Sequence, residues 1–127
     1  MKPKEWALDI SSVALRDYQE ILVWTQSQFS SQQARIYAQT IASALQELQG
    51  GPDIPGVKWR PELGKKIASL HVARKGYKGR HFVIFNVIEN SAVIRVLRLF
   101  HDSMDLQRHQ LSFDTKDDLV DKKDDAE

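Results

Sequence analysis

The apolar side chains of this chain change their spacing halfway along it. From residue 13 to residue 49 they recur every three or four positions. From residue 67 they recur every second position. Between the two regimes, residues 50–64 hold four of the six glycines and three of the four prolines. The first period belongs to amphipathic helices, the second to strands, and the Gly/Pro stretch is a break that neither crosses. Helices with one apolar stripe and a sheet with one apolar face bury that surface only against each other. The expected class is α+β, a two-layer domain with an antiparallel sheet packed on an N-terminal helix hairpin.

The elements follow from the same patterns. Trp6, Leu8 and Ile10 alternate with Glu5, Ala7 and Asp9, which predicts a first strand. Ser11 and Ser12 are N-cap candidates. Ala14, Tyr18, Ile21, Leu22, Thr25 and Phe29 then line one face of a helix over 13–28. Ser30-Ser31-Gln32-Gln33 reads as a capping box opening a second helix over 31–49. Its apolar face is Ala34, Tyr37, Ala38, Ile41, Leu45 and Leu48, and Gly50, Gly51 and Pro52 stop it. So short a link folds the helices back as an antiparallel hairpin. Strands are expected over 67–74, 80–88 and 92–100, joined by turns short enough to force a meander. Residues 80–88 are apolar on both faces and belong at the centre of the sheet. The first strand is expected at an edge or beside the last. A short helix is expected from Asp102 to about Gln110. The predicted order is β-α-α-β-β-β with that C-terminal helix.

A chain of 127 residues suits one domain. Without cysteine, disulfides, thiolate nucleophiles, iron–sulfur clusters and cysteine zinc sites are excluded. No apolar run approaches the roughly 18 residues of a membrane span, and no apolar segment of a signal peptide follows Met1. A cytoplasmic protein is the expectation, with no membrane contact. The net charge of +1 hides an asymmetry. Residues 1–110 hold 15 Lys/Arg against 10 Asp/Glu, and residues 111–127 hold 3 Lys against 7 acids. Residues 1–112 are therefore expected as the folded domain, and 113–127 as an acidic tail too poor in apolar residues to pack.

Chemistry-bearing residues concentrate in two places. Residues 58–80 carry eight basic side chains and one acid, Glu62, with Trp59 and Tyr77 among them. Cations bind phosphates and exposed aromatics stack on bases, so this reads as a surface for nucleic acid or an acidic protein. The alternative is a solvated charged face with Trp59 packed inward. On the last strand, period-2 alternation puts Arg98 on one face with Ile94, Val96 and Phe100, and Arg95 on the other. Arg98 then either presents a fixed cation or pairs with a carboxylate such as Asp105 or reaches solvent. His101 is placed as a general acid or base, or as an anchor of the strand–helix junction. His101, Asp105 and His109 have a metal-compatible i, i+4, i+8 spacing, but the acids equally favour a helix start, and no metal or cofactor is expected. No Gly-rich phosphate loop, nucleophile elbow or His-Glu-x-x-His occurs. Both faces of the last strand are apolar, more than two helices alone cover, which predicts a partner segment wrapped on this surface.

Trp24 and Phe29 with the Gln33-Ala34 helix start, the stretch Arg80-His81-Phe82-Val83-Ile84-Phe85, and the run from Ile94 to Asp105 resemble the RelE/ParE family of bacterial toxins. The resemblance spans about residues 4–110 and is nearest the ParE branch. It implies the toxin of a type II toxin–antitoxin pair, held inactive in a hetero-oligomer by a cognate antitoxin. The ParE branch implies inhibition of DNA gyrase by binding. The RelE branch implies mRNA cleavage on the ribosome, in which Arg98 and His101 would be catalytic. A third possibility is a toxin-derived binding module that has lost its poison. Arg74, Lys75, Lys78, Arg80, Arg98, Phe100, Asp105 and Arg108 are the residues expected to meet target or antitoxin. The terminal Tyr typical of many ribonuclease members is absent after Phe100.

Overall fold

The computed structural model describes residues 5–104. The acidic tail and most of the expected C-terminal helix lie outside the described residues; residues 102–104 form a turn. Strand β1 (Ala7–Ile10) leads into helices α1 (Ser12–Gln28) and α2 (Ser31–Glu47). Ser11 caps α1 by accepting from the Ala14 N–H, and Ser30 caps α2 by accepting from Gln33 N–H, both at 3.0 Å. A 3-10 turn over Leu48–Gly50 closes α2. Gly51 follows at φ +100° with Trp6 packed over it; an added Cβ would sit 2.8 Å from the indole nitrogen.

The sheet contains β2 (Lys58–Trp59), β3 (Ile67–His71), β4 (His81–Ile88) and β5 (Val93–His101) as well as β1, in the order β1-β5-β4-β3-β2. The β3–β4–β5 meander is antiparallel as expected. β1 joins the edge beside β5 in parallel register, Ala7 opposite Val93. β2, within the Gly/Pro stretch where no element was expected, is a two-residue edge paired to β3. β4 and β5 are the central strands and carry the longest ladder.

One irregularity overturns the strict alternation of β5. Ile84 pairs with Arg98 and Phe85 with Val96, so Leu97 has no counterpart and bulges. The parity of every later residue changes. Ile94, Val96 and Leu99 face the helices in one core with Ile41, Leu48 and Phe85. Leu97 and Phe100 lie in a second core with Leu63, Ile67 and Ile84 on the other side of the sheet. Arg98 thus does not share a face with Ile94 and Val96. The surplus apolar surface of β5 is also not bare: Leu63, fully buried, and Met104 cover it from the chain's own loops. Phe29, expected in the α1 stripe, lies past the last helical residue, 67% exposed, edge-on to Trp24 at 5.9 Å.

Candidate functional site

Four segments converge where β3 and β5 end and β4 begins. The register sets His71 opposite Phe82 and His81 opposite His101, and Asp102 follows directly. Asp102 accepts from His71 Nε2 at 2.9 Å and from Arg80 Nε at 3.1 Å. The Ala73 N–H donates to His71 Nδ1 at 3.0 Å, which leaves the ring proton on Nε2, facing Asp102. These donors, His71 first and then Arg80, hold the Asp102 carboxyl below the usual carboxylate range.

On the helix side, Tyr37 of α2 reaches the same corner. Its hydroxyl accepts from the Arg80 N–H at 2.9 Å and lies 2.6 Å from His81 Nδ1, so its own proton serves that nitrogen. Gly79 makes this approach possible: a Cβ there would sit 2.5 Å from Val72 Cγ2 and 3.2 Å from the Tyr37 oxygen. Burial, then the neighbouring His101 imidazole, push His81 from 6.5 down to about 4. Burial likewise raises the Tyr37 hydroxyl above its ordinary value. His101 packs edge-on to His81 at 5.2 Å, its Nδ1 bonded to the Ser103 hydroxyl at 2.7 Å and the Ser103 N–H at 3.1 Å.

Beside the imidazoles runs a groove of about 360 Å³ between α1 and the end of β5. Arg98 lies in its wall, held by Asp17 of α1: Nε to Oδ2 at 2.8 Å, one terminal nitrogen to Oδ1 at 3.2 Å. Asp17 also accepts the Leu99 N–H at 3.0 Å, and the guanidinium stacks 4.7 Å from the Phe100 ring. Of the alternatives for Arg98, pairing with a carboxylate holds, with Asp17 as the partner seen here; Asp105 lies outside the described residues. Glu20, Ile21 and Trp24 form the helix wall, and Met104 closes the end.

The expected site residues therefore divide. Arg80, Arg98, Phe100 and His101 meet at this corner. Arg74 does not: it forks onto Glu47 at 2.8 and 3.2 Å, with Lys75 at 3.9 Å from the same carboxylate. Glu47 lies ten residues beyond Tyr37 on α2, about 15 Å along the axis. The Arg74 hydrogen bond holds the Glu47 carboxyl below its ordinary value. Lys78 and Tyr77 are exposed in the β3–β4 turn, and Trp59 is exposed on edge strand β2 rather than packed inward. Asp105 and Arg108 lie outside the described residues. Tyr37, His71, His81, Asp102 and Asp17 escaped the sequence reading as site residues. The signal for three of them was the meander itself, which brings the ends of β3 and β5 to the start of β4.

A helix hairpin laid on an open five-stranded sheet, with imidazoles and paired arginines gathered at one sheet corner, defines a small α+β domain with a polar corner and an apolar groove. Residues 8–106 match the family model described as ParE toxin of the type II toxin–antitoxin system, parDE, and the chain belongs to that family. Solved structures share the fold, among them the following three. The chromosomal ParDE toxin–antitoxin system from P. aeruginosa is 19% identical, with a TM-score of 0.55, covering 77% of this chain and 97% of that one. The toxin–antitoxin complex RelBE2 from Mycobacterium tuberculosis is 18% identical, with a TM-score of 0.52, covering 76% and 98%. An arginine-to-alanine variant of the E. coli toxin RelE in the free state is 14% identical, with a TM-score of 0.57, covering 88% and 99%. No curated protein sequence matches the chain. Among the described residues, no helix is long and apolar enough to cross a membrane.

Proposed function

We propose that this toxin acts by binding DNA gyrase, makes and breaks no bond itself, and is held inactive in the cytoplasm by a cognate antitoxin. The observation that carries the reading is the Asp17–Arg98 fork. Cleavage of RNA by Arg, His and Tyr needs a guanidinium directed at the charge that develops on phosphorus. Here Arg98 is spent on a carboxylate through two nitrogens, and the more exposed Arg80 bonds Asp102 through Nε. The exposed Val23, Trp24 and Phe29 on α1 and just beyond its end give a partner protein apolar surface to cover, as does an apolar groove of about 230 Å³ between Ile10, Leu15, Tyr18 and Leu45.

One observation favours a second reading, ribosome-dependent mRNA cleavage. His81 and His101 border the groove with the Tyr37 hydroxyl behind them, imidazole and phenol groups of the kind that move protons in RNA cleavage. Controlled expression separates the two. Gyrase binding is expected to block supercoiling of a relaxed plasmid by purified gyrase while translation in a cell-free extract continues. Rapid arrest of translation with cut mRNA and unimpaired supercoiling would overturn the gyrase reading.

A further inference from the structure

The groove beside β5 holds most of what recognises a phosphodiester. Arg98 offers a planar fork, Phe100 stacks beneath it, Trp24 stands on the opposite wall, and two imidazoles border the end. One residue opposes that use. Asp17 fills the fork with its own carboxylate and takes the Leu99 N–H as well, so three donors that would meet a phosphate are satisfied within the fold. Glu20 adds a second carboxylate to the same wall. Asp17 and Arg98 are both largely shielded, their side chains 13% and 23% exposed. A fork in that setting is weakly screened and is not opened by solvent as a surface pair is.

We infer that Asp17 is the specificity-determining residue that bars phosphodiesters from this groove, by occupying Arg98. The inference deepens the binding reading above and rests on the same fork. Asp17 touches no ligand in this role; it acts through Arg98 and is a positioning residue. The phosphate-recognising parts are present in the groove, and a single carboxylate holds them out of use.

Asp17→Asn is the informative change, because the amide oxygen still accepts the Leu99 N–H while the negative charge is gone. The probe is a short fluorescein-labelled single-stranded RNA, titrated with the purified full chain and followed by anisotropy. The Asn variant is expected to bind about tenfold tighter than wild type, the scale of one additional charge-assisted hydrogen bond to the RNA. Its log–log salt dependence should steepen by about 0.7, one additional phosphate neutralised on a single strand. Asp17→Glu, which keeps the charge, should bind as weakly as wild type. Adding Arg98→Gln to Asp17→Asn should abolish the increase in affinity. A folded Asn variant with unchanged affinity and salt slope would overturn the inference. So would an increase that survives removal of Arg98, which would assign the effect to general repulsion.

A measurement on the unaltered protein stands apart from variant folding. The Arg98 Nε–H resonance should be insensitive to added RNA in wild type, and a shift on titration would overturn the inference. Failure of the gyrase reading alone has a different signature, unimpaired supercoiling in the presence of wild type while the RNA titrations behave as expected.

Discussion

His81 sits in folded surroundings that resist its protonation, and the consequence is measurable. Its pKa falls from 6.5 to about 4, so between those values the unfolded chain binds a proton that the folded chain does not. Stability therefore rises with pH across this window, is fully present above about 6.5, and is lost as pH falls toward 4. Discounted for its partial exposure, the contribution is on the order of 2 kcal/mol. Urea unfolding at pH 7 and pH 4.5 should show this loss, and His81→Gln should flatten the profile. A wild-type profile flat over that range would contradict the burial of this imidazole. Little of the residue-level arrangement was legible in the sequence. Arg98 was visible as an anomaly on an apolar strand, but its partner was not, because Asp17 lies 81 residues earlier on another element. Arg74 and Arg80 looked alike within one basic run. Folding sends one to Glu47 on α2 and the other to Asp102 after β5, a separation that charge counting cannot see.

At the scale of elements, the period of the sequence was a reliable guide to type and a poor one to face. The helices, their Ser11 and Ser30 caps and the meander all follow from local patterns. The face assignments of β5 fail after Val96, because a bulge adds one residue without any sign in the hydrophobic pattern. This parity change yields a prediction. Strict alternation would group Leu99 with Leu97; the structure sets Leu99 against the helices. Leu99→Ala should cost about 2–4 kcal/mol. Amide exchange should accelerate in α1, with the loop around Leu63 unaffected. Faster exchange around Leu63 instead would restore the simple alternation. β2 was missed for a related reason. Two residues carry no periodicity, and only pairing with Ala68 and Ser69 makes Lys58 and Trp59 a strand.

Among the described residues the molecule has two cores, one on each side of its sheet. The helix side was expected; the other is sealed by Leu63 from the Gly/Pro stretch and by Met104. Leu63→Ala should thus behave as a core truncation, costing about 2–4 kcal/mol, although it lies in a segment that reads as loop. A urea midpoint within error of wild type would show that this side is not packed. The parallel pairing of β1 with β5 has a further consequence, for the timing of synthesis. Asp9 and Arg95 bond across 86 residues, and the Trp6 N–H and Ser11 Oγ are satisfied by Gln49 and Leu97 carbonyls that do not yet exist when they are made. At ordinary elongation rates of about 5–20 residues per second, β1 waits roughly 4–17 s for the strand that completes it. During that interval the groove beside β5 has no second wall. Until that strand is made, the Arg98 and Phe100 wall of the groove does not exist, and α1 presents its Asp17, Glu20 and Trp24 side alone.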